Sequence, residues 1–513
     1  MHNTIKLQPP PGARSRLSAA GPALESGIAS TTHGIARQER RRGVPNGRRR
    51  GPTAFQLLIF ILAGANPAGA ADAWAIPAGA PCCADLDQRV AELEAMIAHK
   101  GNRKVVLAIS GLINQGVMAW DDGAEENAYV VTNDNQRSRF SFVGKAAINA
   151  MWEVGYAIDI GIRAANSKLV NQVADGGFTR RRSTGFDLRS SVWFLHNKQY
   201  GTVFVGATFA ATDRIANSNV TQAGMFDQYA APENVGLGMF LRSATNGRLT
   251  NSVLNWRRII GAGGDQPGES QRGFSLVKYV SPTWNGFTAA ADWVATDFWD
   301  VALRYRKEIA GFDVGAGIGY LQLIPESRTR SVCPSAFLNT DGDTTSCRQL
   351  RASVSAKHLD TGLFVNFGLG LTIDGLVDDT NRYRRSDVDD TELFLSGQAG
   401  IERQFLPLGK TTVYGSHYTY TGGASSVLLV RPNDALNPTG IGDWAVWASN
   451  VDIWGGGIAQ GIDSAAMILY LTYRHVSGEL ALCQLDGGAA TGPIADAPID
   501  DLDLLLTGAV IRF

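Results

Sequence analysis

Side chains able to do covalent or acid–base chemistry are present in this chain of 513 residues, but they do not gather. From residue 71 onward the histidines are His99, His196, His358, His417 and His475, with no G-x-S-x-G and no serine–histidine constellation around them. The five cysteines are the adjacent Cys82 and Cys83, then Cys333 and Cys347 fourteen residues apart, then Cys483; none has zinc spacing. Asp341-Gly342-Asp343 lacks the EF-hand pattern, and Asp387 to Asp390 reads as a solvated loop cluster. Gly315, Gly317 and Gly319 alternate along a strand instead of forming a phosphate loop. No reaction, metal or cofactor is expected. What remains is charge, and its placement is regular. In MWEVGYAIDIGIRA, Glu153, Asp159 and Arg163 alternate with Trp152, Val154, Tyr156, Ile158, Ile160 and Ile162.

An alternation this long needs an apolar medium on one side and water on the other. Related period-two runs recur. In WDVALRYRKE, Trp299, Val301, Leu303 and Tyr305 oppose Asp300, Arg304, Arg306 and Glu308. In GFDVGAGIGYL, Phe312, Val314, Ala316, Ile318 and Tyr320 oppose Asp313 and the three glycines. In DLRSSVWFL, simple alternation sets Leu188, Val192 and Phe194 outward against Asp187 and Arg189, with Trp193 the one evident inward aromatic. Runs of about ten residues match a tilted strand crossing hydrocarbon. Short connections (149–150, 197–200, 310–311, 406–409) alternate with long polar ones (121–135, 165–184, 210–270, 323–349, 374–388, 421–446, 477–500). This rhythm predicts about sixteen antiparallel strands closed into an all-β transmembrane barrel over 102–513, with an apolar outside and a wet inside. A soluble sandwich would need a second apolar layer, and no segment supplies one.

The first hundred residues differ. Residues 1–50 hold one Lys and nine Arg against Glu25 and Glu39, whereas the whole chain is at −1, so the remainder is too acidic to suggest a nucleic-acid partner. Arg48 to Arg50, an apolar run from Ala54 to Gly64 and Ala68-Gly69-Ala70 form a secretory signal pattern over about 44–70, preceded by an extension that points to a downstream translation start. In residues 71–101, Leu86, Val90, Leu93 and Ile97 make an a/d seam. That seam reads equally as a helix lying on the body or as a periplasmic coiled coil joining subunits. An exported chain predicts a Cys333–Cys347 disulfide; Cys82 and Cys83 either cross-link neighbouring chains or stay reduced. LLLTGAVIRF ends the chain on Phe513 behind Ile511, Ala509, Thr507 and Leu505, similar to the terminal aromatic that bacterial outer-membrane proteins present to the barrel assembly machinery.

Several segments, in order, resemble the alphaproteobacterial (rhizobial-type) porin family: CCADLDQRVAELEA, GNRKVVLAISGLINQGVMAWDDG, TDFWDVALRY, GFDVGAGIGY, LPLGKTTVYG and AAMILYLTYRH. The likeness spans 82–513; the N-terminal extension and some loops depart from it. It implies a sixteen-stranded bacterial outer-membrane barrel, usually a homotrimer, passing small hydrophilic solutes and ions passively. It also implies that the third long loop, 210–270, folds into the lumen. On that implication Asp227 and Glu233 stand at a constriction opposite Arg139, Lys145, Arg163 and Arg189, and their field screens solutes by charge. Loop runs such as Arg180-Arg181-Arg182 read first as a solvated loop, with lipopolysaccharide phosphates or a neighbouring subunit as the alternative partner. The alternatives are a substrate-selective channel of the same fold and a structural tether joined through the segment at 81–100.

Overall fold

A computed structural model describes residues 105–176, 185–250, 254–261, 274–294, 297–325, 327, 332–333, 345–377, 389–422 and 428–513. The N-terminal extension, the a/d seam with Cys82 and Cys83, Arg180 to Arg182, Asp341, Asp343 and Asp387 lie outside these residues. Among the described residues, nineteen strands form one antiparallel sheet. They are β1 (Val106–Asp121), β2 (Glu126–Thr132), β3 (Arg139–Ala147), β4 (Trp152–Arg163), β5 (Gly185–Asn197), β6 (Gly201–Thr208), β7 (Phe274–Val280), β8 (Phe287–Val294), β9 (Phe298–Ile309) and β10 (Phe312–Leu323). The series continues with β11 (Cys347–His358), β12 (Leu363–Asp374), β13 (Thr391–Leu406), β14 (Gly409–Gly422), β15 (Leu429–Val430), β16 (Trp444–Ile462), β17 (Met467–Asp486), β18 (Ala489–Asp496) and β19 (Leu502–Arg512). Successive strands pair as hairpins, and β1 closes on β19 from Leu112↔Arg512 to Asp121↔Asp503. β2 and β3 together make one wall position beside β1, while β15 and β18 extend the loop rim, so the wall has sixteen strands.

Closure leaves no open sheet edge, which is the condition for strands to survive where no water can satisfy backbone groups. Phe513 finishes the seam. Its N–H donates to the Gly111 carbonyl at 3.1 Å and its carbonyl accepts from Gly111 at 2.9 Å. Its ring covers Gly111 and meets Phe140, with centroids 5.6 Å apart. A side chain at 111 would collide with that ring, so glycine is required there.

One rim carries tight turns. Ala310 (φ 51) and Gly311 (φ 82) link β9 to β10 in the left-handed region, as a two-residue hairpin demands. The other rim carries the long connections, except that β8 and β9 are joined there by only 295–297. The expected first long connection, 121–135, is itself largely strand, because β2 continues the β1 hairpin.

The outer face repeats the sequence alternation. Val154 and Tyr156 are 38% and 39% exposed, with Trp152, Ile158, Ile160 and Ile162 half-buried among neighbouring outer side chains. Trp299, Val301 and Leu303 are exposed on β9, whereas Phe298, Asp300 and Ala302 are buried inside. Tyr279, Phe287 and Phe312 stand exposed near the tight-turn rim, and Trp293 and Trp299 near the other, the aromatic girdles of a bilayer-spanning barrel.

Two expectations fail. Val192 and Phe194 are buried inside, while Trp193 is 51% exposed outside. A β-bulge causes this: Asp159 pairs with Ser190 and Ile160 with Leu188, so Arg189 is an extra residue and the β5 alternation inverts beyond it. Nor is the inner face uniformly wet. Met118, Trp120, Ile453, Ile468, Val476, Leu502, Leu504 and Leu506 line the inside of β1, β16, β17 and β19 in a continuous apolar cluster with residues of the third long loop.

Ile158→Arg places a charge on the outer face at about 2–4 kcal/mol near mid-membrane. Ala157→Arg, on the inner face of the same strand, escapes that cost. Heat-modifiable mobility on gels should show assembly impaired in the first variant and retained in the second.

Candidate pore constriction

The third long connection leaves β6 at Phe209 and turns into the barrel because the wall captures its backbone. Lys278 donates to the Phe209 carbonyl at 2.8 Å. Asp292 and Asp300, register partners on β8 and β9, both accept from the Ala211 amide. Asp300 also accepts from the Thr212 amide at 2.9 Å. Arg304 donates to the Asp213 carbonyl at 2.7 Å, and Arg351 to that of Thr212 at 3.3 Å. Such bonds to charged groups are among the stronger ones, and here they replace lost hydration of both partners.

Segment 212–220 then lies against the wall where bulk is absent. Cβ atoms added at Gly317 and Gly319 would sit 3.2 Å from Ile215 and 2.7 Å from Thr212. The alternating glycines therefore make the seat for the loop. Ser353 and Ser355 accept from the Ser218 and Val220 amides, each at 3.1 Å. The Gln222 amide donates to Glu402 at 2.7 Å, and Lys357 holds Glu402 at 3.0 Å.

The expected acidic pair sits deeper than a lumen lip. Asp227 is buried, accepts from the Tyr414 hydroxyl at 2.6 Å and forms an ion pair with Arg474. Arg474 also donates to the Pro232 carbonyl at 2.8 Å. Glu233 is fully buried, with Lys168 3.6 Å away. Both carboxylates thus tie the loop to its surroundings. Phe226 stacks on Tyr470 at 4.9 Å, and beyond it Leu237, Met239, Leu241, Leu254, Trp256 and Ile259 fill one side of the lumen.

Along its entering limb, 210–243, the loop residues that keep exposure are 213–214, 217–219, 221–222 and 224–225. Arg214 is the cation of this lip, in a left-handed conformation (φ 56), with Asp213 at 3.8 Å. The part of the wall not covered by the loop bears Arg139, Ser141 and Lys145 on β3, Glu153 and Asp159 on β4, and His196 on β5. Arg139 is half-buried, 3.1 Å from Gln136 Oε1; Lys145 is exposed. Arg189 is buried, 2.9 Å from Asp159, its guanidinium 5.3 Å from the Phe209 ring centroid. Arg163 ends β4, and its side chain lies outside the described residues. The structure therefore brings Arg189 to the loop root, leaves Arg139 and Lys145 on the open wall, and sets Asp227 and Glu233 behind the lip.

Sequence reasoning passed over Asp292, Asp300, Arg351, Tyr414 and Arg474. A signal existed for Asp300, an inward acid on an otherwise regular strand, but pairing it with Asp292 required the register. The return limb is tied down at the rim. Arg242 contacts Asp122 at 2.8 Å, and Gln172 Nε2 donates to the same carboxylate at 3.0 Å. Burial opposes ionisation of Asp122, but Arg242, Gln172 and the Glu125 and Ala124 amides outweigh it and lower its pKa. Cys333 and Cys347 form a disulfide with Cα atoms 6.1 Å apart.

No family model matches this sequence, and no curated protein matches it. Among solved structures, an anion-selective porin from Comamonas acidovorans is similar at 12% identity, covering 80% of this chain and 100% of that one, with a TM-score of 0.47. OprB of Pseudomonas putida is similar at 9% identity, with 83% and 97% covered and a TM-score of 0.46. OmpT of Vibrio cholerae, in a trimer form, is similar at 11% identity, with 80% and 99% covered and a TM-score of 0.43. The fold assignment stands on the pairing of this chain's own strands.

Asp227→Ala strands the buried Arg474 and should cost about 3–5 kcal/mol, read as a lower temperature of the mobility shift and a noisier channel current. Arg214→Glu reverses the lip charge and should move the reversal potential in a salt gradient toward cation preference. Because the folded-state pKa of Asp122 lies below its unfolded value, its contribution is complete above the unfolded value and fades as pH falls through the folded one. Asp122→Asn should therefore remove part of the stability lost on acidification below about pH 4, measured by comparing melting at pH 3 and pH 7.

Proposed function

We propose that this protein is an outer-membrane porin: a water-filled, passive channel for small hydrophilic solutes and ions, narrowed by its third loop. One observation carries the reading. A closed barrel with an apolar outer band encloses a loop that packs against part of the wall and leaves a charged stretch of β3 to β5 uncovered. An interior meant only for stability would be packed throughout, as small barrels are. Solutes pass down their gradients between the lip at 213–225 and that stretch, screened by size and by the charges of Arg214, Arg139, Lys145, Glu153 and Asp159. Asp227, Glu233 and Arg189 act by holding the loop in place.

The quoted segments support the rhizobial-type porin family as the finer assignment, with a homotrimer in the bacterial outer membrane. The substrate-selective alternative has one observation in its favour: Phe194 and Phe204 form an inward ring pair 5.7 Å apart, with Lys278 5.5 Å from the Phe204 centroid. Two rings make a single platform, which is short of a track for guiding a sugar. The tether alternative rests on residues 81–100, and a chain lacking 82–99 should keep full single-channel conductance under the porin reading.

The deciding experiment is reconstitution. Purified protein in planar bilayers should give stepwise ohmic currents, and proteoliposomes should swell in solutions of small sugars at rates falling with solute size. Membranes holding folded protein that stay electrically silent and do not swell would overturn the assignment.

A further inference from the structure

The bulge at Arg189 decides which rings of β5 enter the lumen. Beyond it Trp193 faces out, while Val192 and Phe194 face in. Bulges often re-aim side chains beside functional sites. Register then sets one inward row across five strands: Lys145 on β3, Gly155 on β4, Phe194 on β5, Phe204 on β6 and Lys278 on β7. The wall makes room for the first ring. A Cβ at Gly155 would sit 2.3 Å from Phe194 Cζ, so this ring lies over bare backbone. The Phe204 ring is tilted by 47° against it, with centroids 5.7 Å apart.

Phe209, at the root of the third loop, brings another ring to the same place. Its carbonyl accepts from Lys278 Nζ at 2.8 Å, and that ammonium is 5.5 Å from the Phe204 centroid. The Arg189 guanidinium is 5.3 Å from the Phe209 centroid. Phe204 and Phe209 are half-buried and keep some exposure to the lumen, whereas Phe194 is buried and supports Phe204. The cations around the rings are neutralised to different degrees. Arg189 has Asp159 at 2.9 Å, and Lys278 has Asp292 as its register partner on β8. Lys145 is exposed, and no carboxylate of the described residues pairs with it. Glu153 stands one row nearer the tight turns, opposite His196.

This stretch of wall offers an apolar surface edged by an unmatched positive charge. Three strand spacings put Lys145 and Phe204 about 14 Å apart at the backbone, a gap that the lysine stem and one ring with its carboxylate fill. A bare inorganic anion would use Lys145 and leave the rings untouched; a neutral ring would leave the charge unused. An aromatic body bearing a carboxylate uses both, its ring against Phe204 and Phe209 and its oxygens on the ammonium. We propose that the row from Lys145 to Lys278 is a binding station for small aromatic carboxylates crossing the lumen. The inference deepens the porin reading and rests on it, since the station is reached only through an open passage. Binding there is weak, because conduction requires that a solute leave as well as enter.

The test uses the full chain in planar bilayers at matched ionic strength. Benzoate is the probe, acetate supplies the charge without a ring, and benzamide supplies the ring without a charge. Benzoate should lower the open-channel current saturably at concentrations where acetate and benzamide leave it unchanged. Two variants locate the effect. Phe204→Leu keeps an apolar side chain but removes the ring, and Lys145→Gln removes the charge; heat-modifiable mobility checks that each is folded. In each, the half-maximal benzoate concentration should rise about tenfold. Three results overturn the station: benzoate acting no more strongly than acetate, benzoate acting no more strongly than benzamide, or either variant responding to benzoate as the unaltered chain does. A conducting channel indifferent to benzoate removes the station alone, whereas folded but silent protein removes the channel itself.

Discussion

Backbone pairing around a closed ring governs everything else in this molecule. In hydrocarbon an unpaired amide or carbonyl costs several kcal/mol, so no wall strand can end without a partner. β1 therefore meets β19, and Phe513 covers the glycine at their junction. Once the ring is closed, side chains have only two destinations. The alternation of Trp152 to Ile162 with Glu153, Asp159 and Arg163 follows from that choice, as does the concentration of aromatic rings near the two rims. The one break, at Arg189, keeps the ring paired while shifting a single strand's faces.

The interior solves a different problem. A barrel of this circumference leaves more space than side chains from the wall can fill, and the third loop takes up part of it. Its entry is fixed by charged groups acting on backbone: Lys278, Asp292, Asp300, Arg304 and Arg351. Its middle lies on a floor of glycines, and its return is an ordinary hydrophobic core under β16, β17 and β19. The same buried pairs that fix the loop also neutralise one another, which withdraws their charges from the passage. Constriction and packing are thus the work of one segment: the residues that touch the wall set its position, and those that face away from it set the passage.

This division explains where the structure places the expected site residues. Arg139 and Lys145 lie on a regular strand, where parity alone places a side chain. Asp227 and Glu233 lie in a loop, where parity carries no information. Their acidity suggested the lumen, yet in the low dielectric beneath the loop Asp227 found Arg474 and Tyr414, and Glu233 lies beside Lys168. Arg214 drew no attention because an arginine in an irregular segment has no spacing to mark it.

The sequence alone determined the solvent of most strand faces, a wall of about sixteen strands and the alternation of tight turns with long loops. Those properties are local: each follows from a period of two and from turn chemistry within a dozen residues. Only the tertiary structure decided the β5 bulge, the burial of the loop carboxylates, the glycine seat and the lateral row His417, Trp454, His475 and Asp503. Each of those joins residues far apart in the chain. The row, for example, consists of four residues that look isolated along the sequence and become neighbours only when register sets β14, β16, β17 and β19 side by side.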